Sequence, residues 1–320
     1  MNLKDLIHDV LCFSVFPKLF LVGKTNFRPT QCHNFYVSPI DSGCSMKTLG
    51  NYVLIQYGEF ETITVLTLDG KVQTTLDDNM NLYSSIYYKN GLLIRNRQTK
   101  SFWIIHETLH LEELHFNIRF NAYINEIFYK NNAVEISKVY PDNLWQKDIS
   151  SYGRYINLRE EQQPNEIDGE LMSFENLLFV PLRGGQLIAL DVKKGEEVWM
   201  LEQNISGQYA IIEDRIYKKN RILYEIEAHS GEILRQKEDW NGFISAGPIW
   251  AYDDMLIIVN ILEGDIILFD RKTFEIKDKI NIGNRMAHWK DNIIWRDNKL
   301  YVLDLNNTLH IFENEKENEF

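Results

Sequence analysis

The stretch GGQLIALDVKKGEEVW, Gly184 to Trp199, reads as an apolar strand, a tight polar turn and a second strand that ends in tryptophan. Whether it stands alone or is one copy of a repeat decides the fold. Aligned on Asp191, the last residue of its first strand, a similar unit follows in NRILYEIEAHSGEILRQ, where Glu227 holds the aspartate place and Gly231 matches Gly195. GDIILFDRKTFEIKDKI puts Asp270 at that place, and NTLHIFENE puts Glu313 there. Upstream, AVEISKVYPDNLW aligns Ser137 with Asp191 and Trp145 with Trp199, KSFWIIHETLHLEEL supplies His106, and TITVLTLDGKVQTTL supplies Asp69. Seven anchors result, with a mean spacing of about 41 residues, which suits a four-stranded propeller blade.

Between the anchors, stretches such as ISAGPIWAYDDMLIIVN, turning at Asp253 and Asp254, supply the other two strands of a blade. The expected fold is therefore all-β: one seven-bladed β-propeller domain over 1–320, WD40-like in architecture, with blades over 46–313 and a charged tail over 314–320. The last blade is one strand short, because only KENEF follows NTLHIFENE. Residues 1–45 are expected to supply the missing strand, from Lys18 to Gly23 or from Asn34 to Ile40, so that no sheet edge stays open. Ahead of it, Leu3, Leu6, Ile7, Val10 and Leu11 fall at helical spacing with Asn2 as a cap, and predict a short N-terminal amphipathic helix.

The two units beginning at Gly184 and Asn220 resemble the repeat of the PQQ-like, quinoprotein alcohol dehydrogenase-like β-propellers, roughly G-x-L-x-A-L-D-x-x-T-G-x-x-x-W. Gly185, Leu187, Ala189, Leu190, Asp191, Gly195 and Trp199 match; the second copy carries Glu227 for the aspartate and Leu234 near the tryptophan place. The resemblance is strong over about 180–280 and faint elsewhere. It implies a propeller and not an activity, since this scaffold hosts many functions. Enzymes of the resembling family hold their cofactor against a tryptophan and a ring made by adjacent cysteines. Cys12, Cys32 and Cys44 are not adjacent, so no cofactor is expected, and Trp145 and Trp199 read as packing between blades. The family also contains an exported assembly scaffold of the outer membrane.

Composition narrows the function. The 320 residues carry 46 acidic against 34 basic side chains, a net charge of -12 that repels phosphate backbones and anionic membranes. Three cysteines without a CxxC pair give no disulfide framework and fit a reducing cytoplasm. VLCFSVFPKLFLVG is broken by Pro17 and Lys18 and has no small-residue cleavage site, so it does not read as a secretion signal. A chain that is monomeric by itself, with neither nucleic acid nor membrane as partner, is expected.

HETLH, His106 to His110, satisfies the H-E-x-x-H pattern of zinc peptidases, which needs a helix to stack both histidines over the metal. Here it follows the strand-like SFWII and falls at the turn of the repeat, and His115 does not have the metzincin spacing. RGG at Arg183 to Gly185 reads as a turn before a strand. No GxSxG, P-loop or dinucleotide fingerprint occurs, so no catalytic, cofactor or metal residue is assigned. The interval from Ser137 to Asp191 is 54 residues, about a dozen above the mean, and contains NLREEQQPNEIDGE, Asn157 to Glu170. This acidic loop, with Glu160, Glu161, Glu166, Asp168 and Glu170, is either plain solvated surface or the contact for a basic partner. The expected function is a non-catalytic, protein-binding propeller. Within it an assembly scaffold, a regulator and an immunity-type protein that covers a basic toxin stay open; the alternative is a zinc metallopeptidase acting through HETLH.

Overall fold

The computed structural model describes the chain except for residues 1, 8–9, 16–19, 25–34, 40–43, 58–61, 68–70, 77–78, 115–121, 125–126, 158, 202–207, 220–221, 239–248, 253, 287–292, 297–298 and 314–320. Every regular element among the described residues is a strand. Seven four-stranded sheets make the blades of a seven-bladed β-propeller. By internal contacts the chain divides into two compact units, 1–117 with 284–320, and 118–283.

The first unit holds three blades. Blade 1 is Cys44–Leu49, Tyr52–Tyr57, Ile63–Thr67 and Val72–Leu76; blade 2 is Met80–Tyr88, Gly91–Asn96, Phe102–His106 and Leu111–Leu114. Blade 7 is Ile293–Arg296, Lys299–Leu303 and Leu309–Glu313, and its fourth strand is Asn2–Ile7. The second unit holds four blades. Blade 3 is Ala122–Ile124, Ile127–Asn131, Glu135–Tyr140 and Trp145–Asp148; blade 4 is Met172–Phe174, Leu177–Pro181, Leu187–Asp191 and Glu197–Leu201. Blade 5 is Gln208–Ile212, Arg215–Lys219, Leu223–Glu227 and Ile233–Lys237; blade 6 is Ile249–Tyr252, Met255–Asn260, Asp265–Asp270 and Glu275–Asn281.

The N-terminus supplies the last strand of blade 7, as the sequence implied, but with a different segment. Asn2–Ile7 pairs antiparallel with Leu309–Glu313, Ile7 opposite Leu309 and Asn2 opposite Glu313. The expected helix is therefore corrected to a strand. A helix of about ten residues is marginal in water, whereas the open edge of Leu309–Glu313 offers a full row of backbone partners. Neither proposed closing strand does this work: Phe20–Lys24 and Phe35–Pro39 instead pair parallel with each other, in a three-stranded sheet with Val10–Val15. Removing residues 1–8 is expected to expose the edge of Leu309–Glu313 and drive self-association, visible as loss of the monomer peak in size-exclusion chromatography. A shortened chain that stays monomeric with an unchanged melting temperature would refute closure by this strand.

The blade sequences follow from burial on two faces. Middle strands packed on both sides read as continuous apolar runs: Leu177–Pro181 and Met255–Asn260 are buried at every position. Fourth strands show one face to solvent and alternate, as Glu275–Asn281 does. The core of the second unit thus lies between blades, with Phe179, Leu187, Ala189 and Trp199 of blade 4 meeting Ile216, Ile226 and Ala228 in and next to blade 5.

The anchors mark the ends of third strands. Asp191, Glu227 and Asp270 close their strands, and each carboxylate caps the turn that follows. Asp191 Oδ1 accepts from the Lys193 and Lys194 amides at 2.9 and 2.8 Å, and Asp270 Oδ1 from those of Lys272 and Thr273, both at 2.8 Å. Glu227 Oε2 accepts from the Ser230 amide at 2.6 Å. Hydrogen bonding from Thr273 holds the Asp270 carboxyl below the ordinary aspartate range. His106 and Glu313 likewise end third strands. Ser137 does not: its strand runs on to Tyr140, because Trp145 pairs with Lys138 across a shorter hairpin. Asp69 lies outside the described residues, two positions after the strand end at Thr67.

Candidate functional site

In the second unit, one indole holds blade 3 to blade 4 and another holds blade 4 to blade 5. Trp145 Nε1 donates to Val192 O at 2.9 Å, and Trp199 Nε1 donates to Ala228 O at 3.0 Å, in each case the carbonyl just after the turn-capping anchor. Each indole lies on the glycine of that turn. A Cβ at Gly231 would come within 2.7 Å of Trp199 Cε3, and φ of +75° is left-handed, so glycine is required there twice over. The next junction uses different chemistry. Arg235, eight residues after Glu227 as Trp199 is after Asp191, donates from Nη2 to Arg271 O at 2.6 Å and from Nη1 to Lys272 O at 2.9 Å. Phe274 takes the glycine place at φ +60°, and the guanidinium lies 4.6 Å from its ring centroid. Arg235 thus occupies the place that the sequence alignment gave to Leu234. Its Nε also binds the buried carboxylate of Glu225, which accepts from Tyr217 OH at 2.8 Å. These indoles are structural bridges with their donors engaged, so Trp145 and Trp199 are blade packing as the sequence indicated.

The long interval between blades 3 and 4 is not a plain loop. Arg154–Ile156 and Gln162–Pro164 form an antiparallel hairpin with Tyr155 opposite Gln163. Asn157 builds its tip: Oδ1 accepts from the Arg159 and Glu161 amides at 2.8 and 3.0 Å, and Nδ2 donates to Glu161 Oε2 at 3.0 Å. The hairpin stands on Asn165, which is wholly buried. Its Nδ2 donates to Tyr152 O at 3.0 Å and to Gln186 Oε1 at 2.8 Å, while Oδ1 accepts from the Gly184 amide at 2.8 Å. A Cβ at Gly184 would meet Gln186 Oε1 at 2.6 Å, so this glycine permits the close approach.

The five acidic residues have separate surroundings. Glu160 sits exposed at the tip with φ +62°, and Glu161 beside it closes the Asn157 turn. Glu166 and Asp168 are both addressed by Arg183, through Nη1 at 2.9 Å and Nε at 3.7 Å. Glu170 is exposed at the foot, where its carbonyl accepts from Tyr209 OH at 3.0 Å. Burial, with the negative charges of Glu170 and Asp168 adding, pushes the Tyr209 phenol well up. Arg183 also stacks 5.4 Å from the centroid of Tyr155. The arginine of the RGG turn is thus the brace of the acidic segment, and the turn itself closes through Gly185 N to Leu182 O at 2.9 Å. Pairing alternates along the hairpin: Tyr155 faces Arg183, while Ile156 projects outward, 69% exposed. Sequence reading found the carboxylates but missed Asn165, Arg183 and Ile156, for which a single chain offers no periodic signal.

HETLH forms the hairpin turn after Phe102–His106, in the register that the repeat gave it. The His106 amide donates to His110 O at 2.9 Å and Leu109 is left-handed at φ +64°. The two imidazoles stack 5.9 Å apart, and His106 Nε2 meets Glu112 Oε2 at 2.8 Å. The helix that the peptidase chemistry needs is replaced by a turn. Among the described residues, no group of three or more His, Cys, Asp or Glu side chains is arranged to hold a metal ion. His115 lies outside the described residues. Among those residues, too, no helix is long and apolar enough to cross a membrane.

Strand order, blade-to-blade bridges and the hairpin define the chain as a β-propeller with a structured insertion between blades 3 and 4. No family model and no curated protein sequence matches it. Solved structures do. BamB from Moraxella catarrhalis, a propeller of the PQQ type, aligns over 98% of this chain and 99% of its own with a TM-score of 0.59 at 10% identity. The computationally designed protein Ika8 aligns over 96% of both chains with a TM-score of 0.57 at 11% identity. The β-propeller domain of Cps50 (Swd1) from Myceliophteria thermophila aligns over 84% of this chain and 95% of its own, with a TM-score of 0.50 at 9% identity. At these identities the likeness is one of fold.

Proposed function

We propose that this chain is a non-catalytic propeller that binds another protein, and that the hairpin between blades 3 and 4 is part of the contact. One observation carries the reading: a segment outside the blade repeat is built around a wholly buried Asn165 and a bracing Arg183, yet holds Ile156 69% exposed. An exposed aliphatic side chain on a braced hairpin is the geometry of an interface anchor, and its ordering cost is met before binding. Glu160 and Glu161 flank it at the tip, which suits a basic partner. Glu166 and Asp168, matched by Arg183, act mainly in holding the hairpin. Glu170 at the foot belongs to the same acidic surface. A cytoplasmic setting and, more narrowly, inhibition of a basic toxin are forms of this reading that rest on charge and cysteine usage.

The test begins with affinity capture from the native cell and continues with the captured partner. A Glu160→Lys, Glu161→Lys variant is expected to slow association several-fold at low salt and to flatten its salt dependence. Its melting temperature should fall only a little, since exposed charge changes usually shift stability by no more than about 0.5 kcal/mol each and Glu161 also gives up its hydrogen bond from Asn157. Ile156→Ala should instead speed dissociation. Association and dissociation unchanged in both variants would remove the hairpin from the interface.

A further inference from the structure

At the end of the strands away from the inserted hairpin, blades 3 and 4 enclose a pocket of about 370 Å³. Small-molecule sites begin at about this size. Its floor is a row across blade 3. Tyr129 and Lys138 are direct cross-strand partners, and Lys138 is in turn paired with Trp145, whose ring lies 6.0 Å from that of Tyr129. Tyr129 is 1% exposed and Lys138 6% exposed, and both line the pocket. The Lys138 ammonium and the Tyr129 hydroxyl belong to side chains that line the pocket, and neither is a sealed, unpaired group of the core.

The chemistry of a fitting ligand follows from the donors. An ammonium offers only donors, and a phenol beside it can offer one more, so a ligand with acceptor oxygens, an anion above all, suits the pair. Asp142 and Asp191 already act on Lys138, so one added negative charge is as much as the site takes, which favours a monoanion over a phosphate. Around the pair, Ile124, Ile127 and Pro141 give an apolar wall. Asp142 and Glu175 also lie on the lining, so a second anionic group on the ligand would be repelled there. Burial lowers the Lys138 ammonium, while the charges of Asp142 and then Asp191 act against that shift.

We infer that this pocket binds a small organic monocarboxylate, its carboxylate held by Lys138 and Tyr129 and its apolar body against Ile124, Ile127 and Pro141. The site is at the opposite end of the strands from the hairpin and is independent of the protein-binding role. The carboxylate belongs either to a free small molecule or to the C-terminus of a polypeptide, and calorimetric titration of the full chain separates the two. The probes are sodium acetate, hexanoate and phenylacetate on one side, and a tripeptide with a free leucine carboxylate on the other, each beside its neutral amide.

Saturable binding of a carboxylate with its amide silent is the expected result. The tighter class identifies the source. Lys138→Met should weaken that binding by about tenfold or more, Tyr129→Phe by several-fold, and Asp142→Asn should tighten it. Lys138→Met and Tyr129→Phe keep most of the side-chain volume at the pocket wall, so both variants are expected to fold, with melting temperatures close to that of the parent. No saturable heat from any carboxylate, equal binding of the amides, or undiminished affinity in folded Lys138→Met would each overturn the assignment.

Discussion

Trp199→Ala is expected to lower the unfolding free energy by about 3–5 kcal/mol, more than any other single change between blades 4 and 5. The indole is only 9% exposed, lies 5.7 Å from the ring of Phe179, donates to Ala228 O at 3.0 Å and covers Gly231. Truncation therefore opens a cavity and strands a carbonyl at the same junction. Trp145→Ala, at a half-buried indole, should cost less. Gly231→Ala should cost about 1–3 kcal/mol, because its Cβ would press on Trp199 and its φ is left-handed. In the Trp199→Ala background that penalty should shrink to the backbone part, since the clash is gone. Urea unfolding of the two single variants and the double variant reads this coupling directly. Strictly additive losses would mean that indole and glycine do not form one unit.

The same junctions show how far the sequence carried the fold. Third strands were legible because burial on two faces writes an uninterrupted apolar run, and a carboxylate at its end caps the turn, as at Asp191 and Asp270. The tryptophan place was legible only while it held tryptophan. At Arg235 the sequence turns charged, and alignment by hydrophobicity slides to Leu234, which is 40% exposed. Physically the exchange is conservative: indole and guanidinium are both flat, and both present N–H donors to the carbonyl after the anchor. The glycine under the indole becomes Phe274 under the guanidinium, so two residues change together and hide the repeat. Blade 3 slipped by three residues for a related reason. Its Trp145 was matched to Trp199, but the hairpin before it is three residues shorter, so the strand end is Tyr140 and not Ser137.

The N-terminal segment and the insertion were less legible because their structure is set by partners distant in sequence. Spacing at three and four residues in Leu3, Leu6 and Ile7 is compatible with a helix, and nothing local reveals that Leu309–Glu313 waits as an open edge. In the insertion, charge was visible and its arrangement was not. Asn165 is one asparagine among several, and its role depends on Gln186 and Gly184 about twenty residues on. Arg183 was read only as part of a turn, although its charge decides which carboxylates of the cluster are left to face a partner.

A second large effect is expected from pH, through two lysines that no sequence pattern marks. Lys218 and Lys219 end the second strand of blade 5 and are 1% and 2% exposed. As neighbours on a strand they point to opposite faces, so one meets each adjoining blade. Lys218 Nζ donates to Gly185 O at 3.2 Å in the turn of blade 4, and Lys219 Nζ donates to Val259 O at 2.9 Å in blade 6. Burial pushes Lys218 down to about 7 and Lys219 down to about 8. An unfolded lysine titrates near 10.4. Between the folded and unfolded values the unfolded chain binds more protons, so stability rises as pH rises, starting near 7 for Lys218 and near 8 for Lys219 and ending above 10. Below that window both ammonium groups are held charged and buried, and stability is at its lowest with respect to them. For Lys218 the full gain is of the order of 4 kcal/mol. Lys218→Met should therefore be more stable than the parent at pH 6 and should show a visibly shallower rise between pH 7 and 9.5 in urea unfolding. Every other titrating group is common to both proteins and cancels in the difference. Parallel stability curves for parent and variant would mean that Lys218 reaches solvent and keeps its ordinary affinity for the proton.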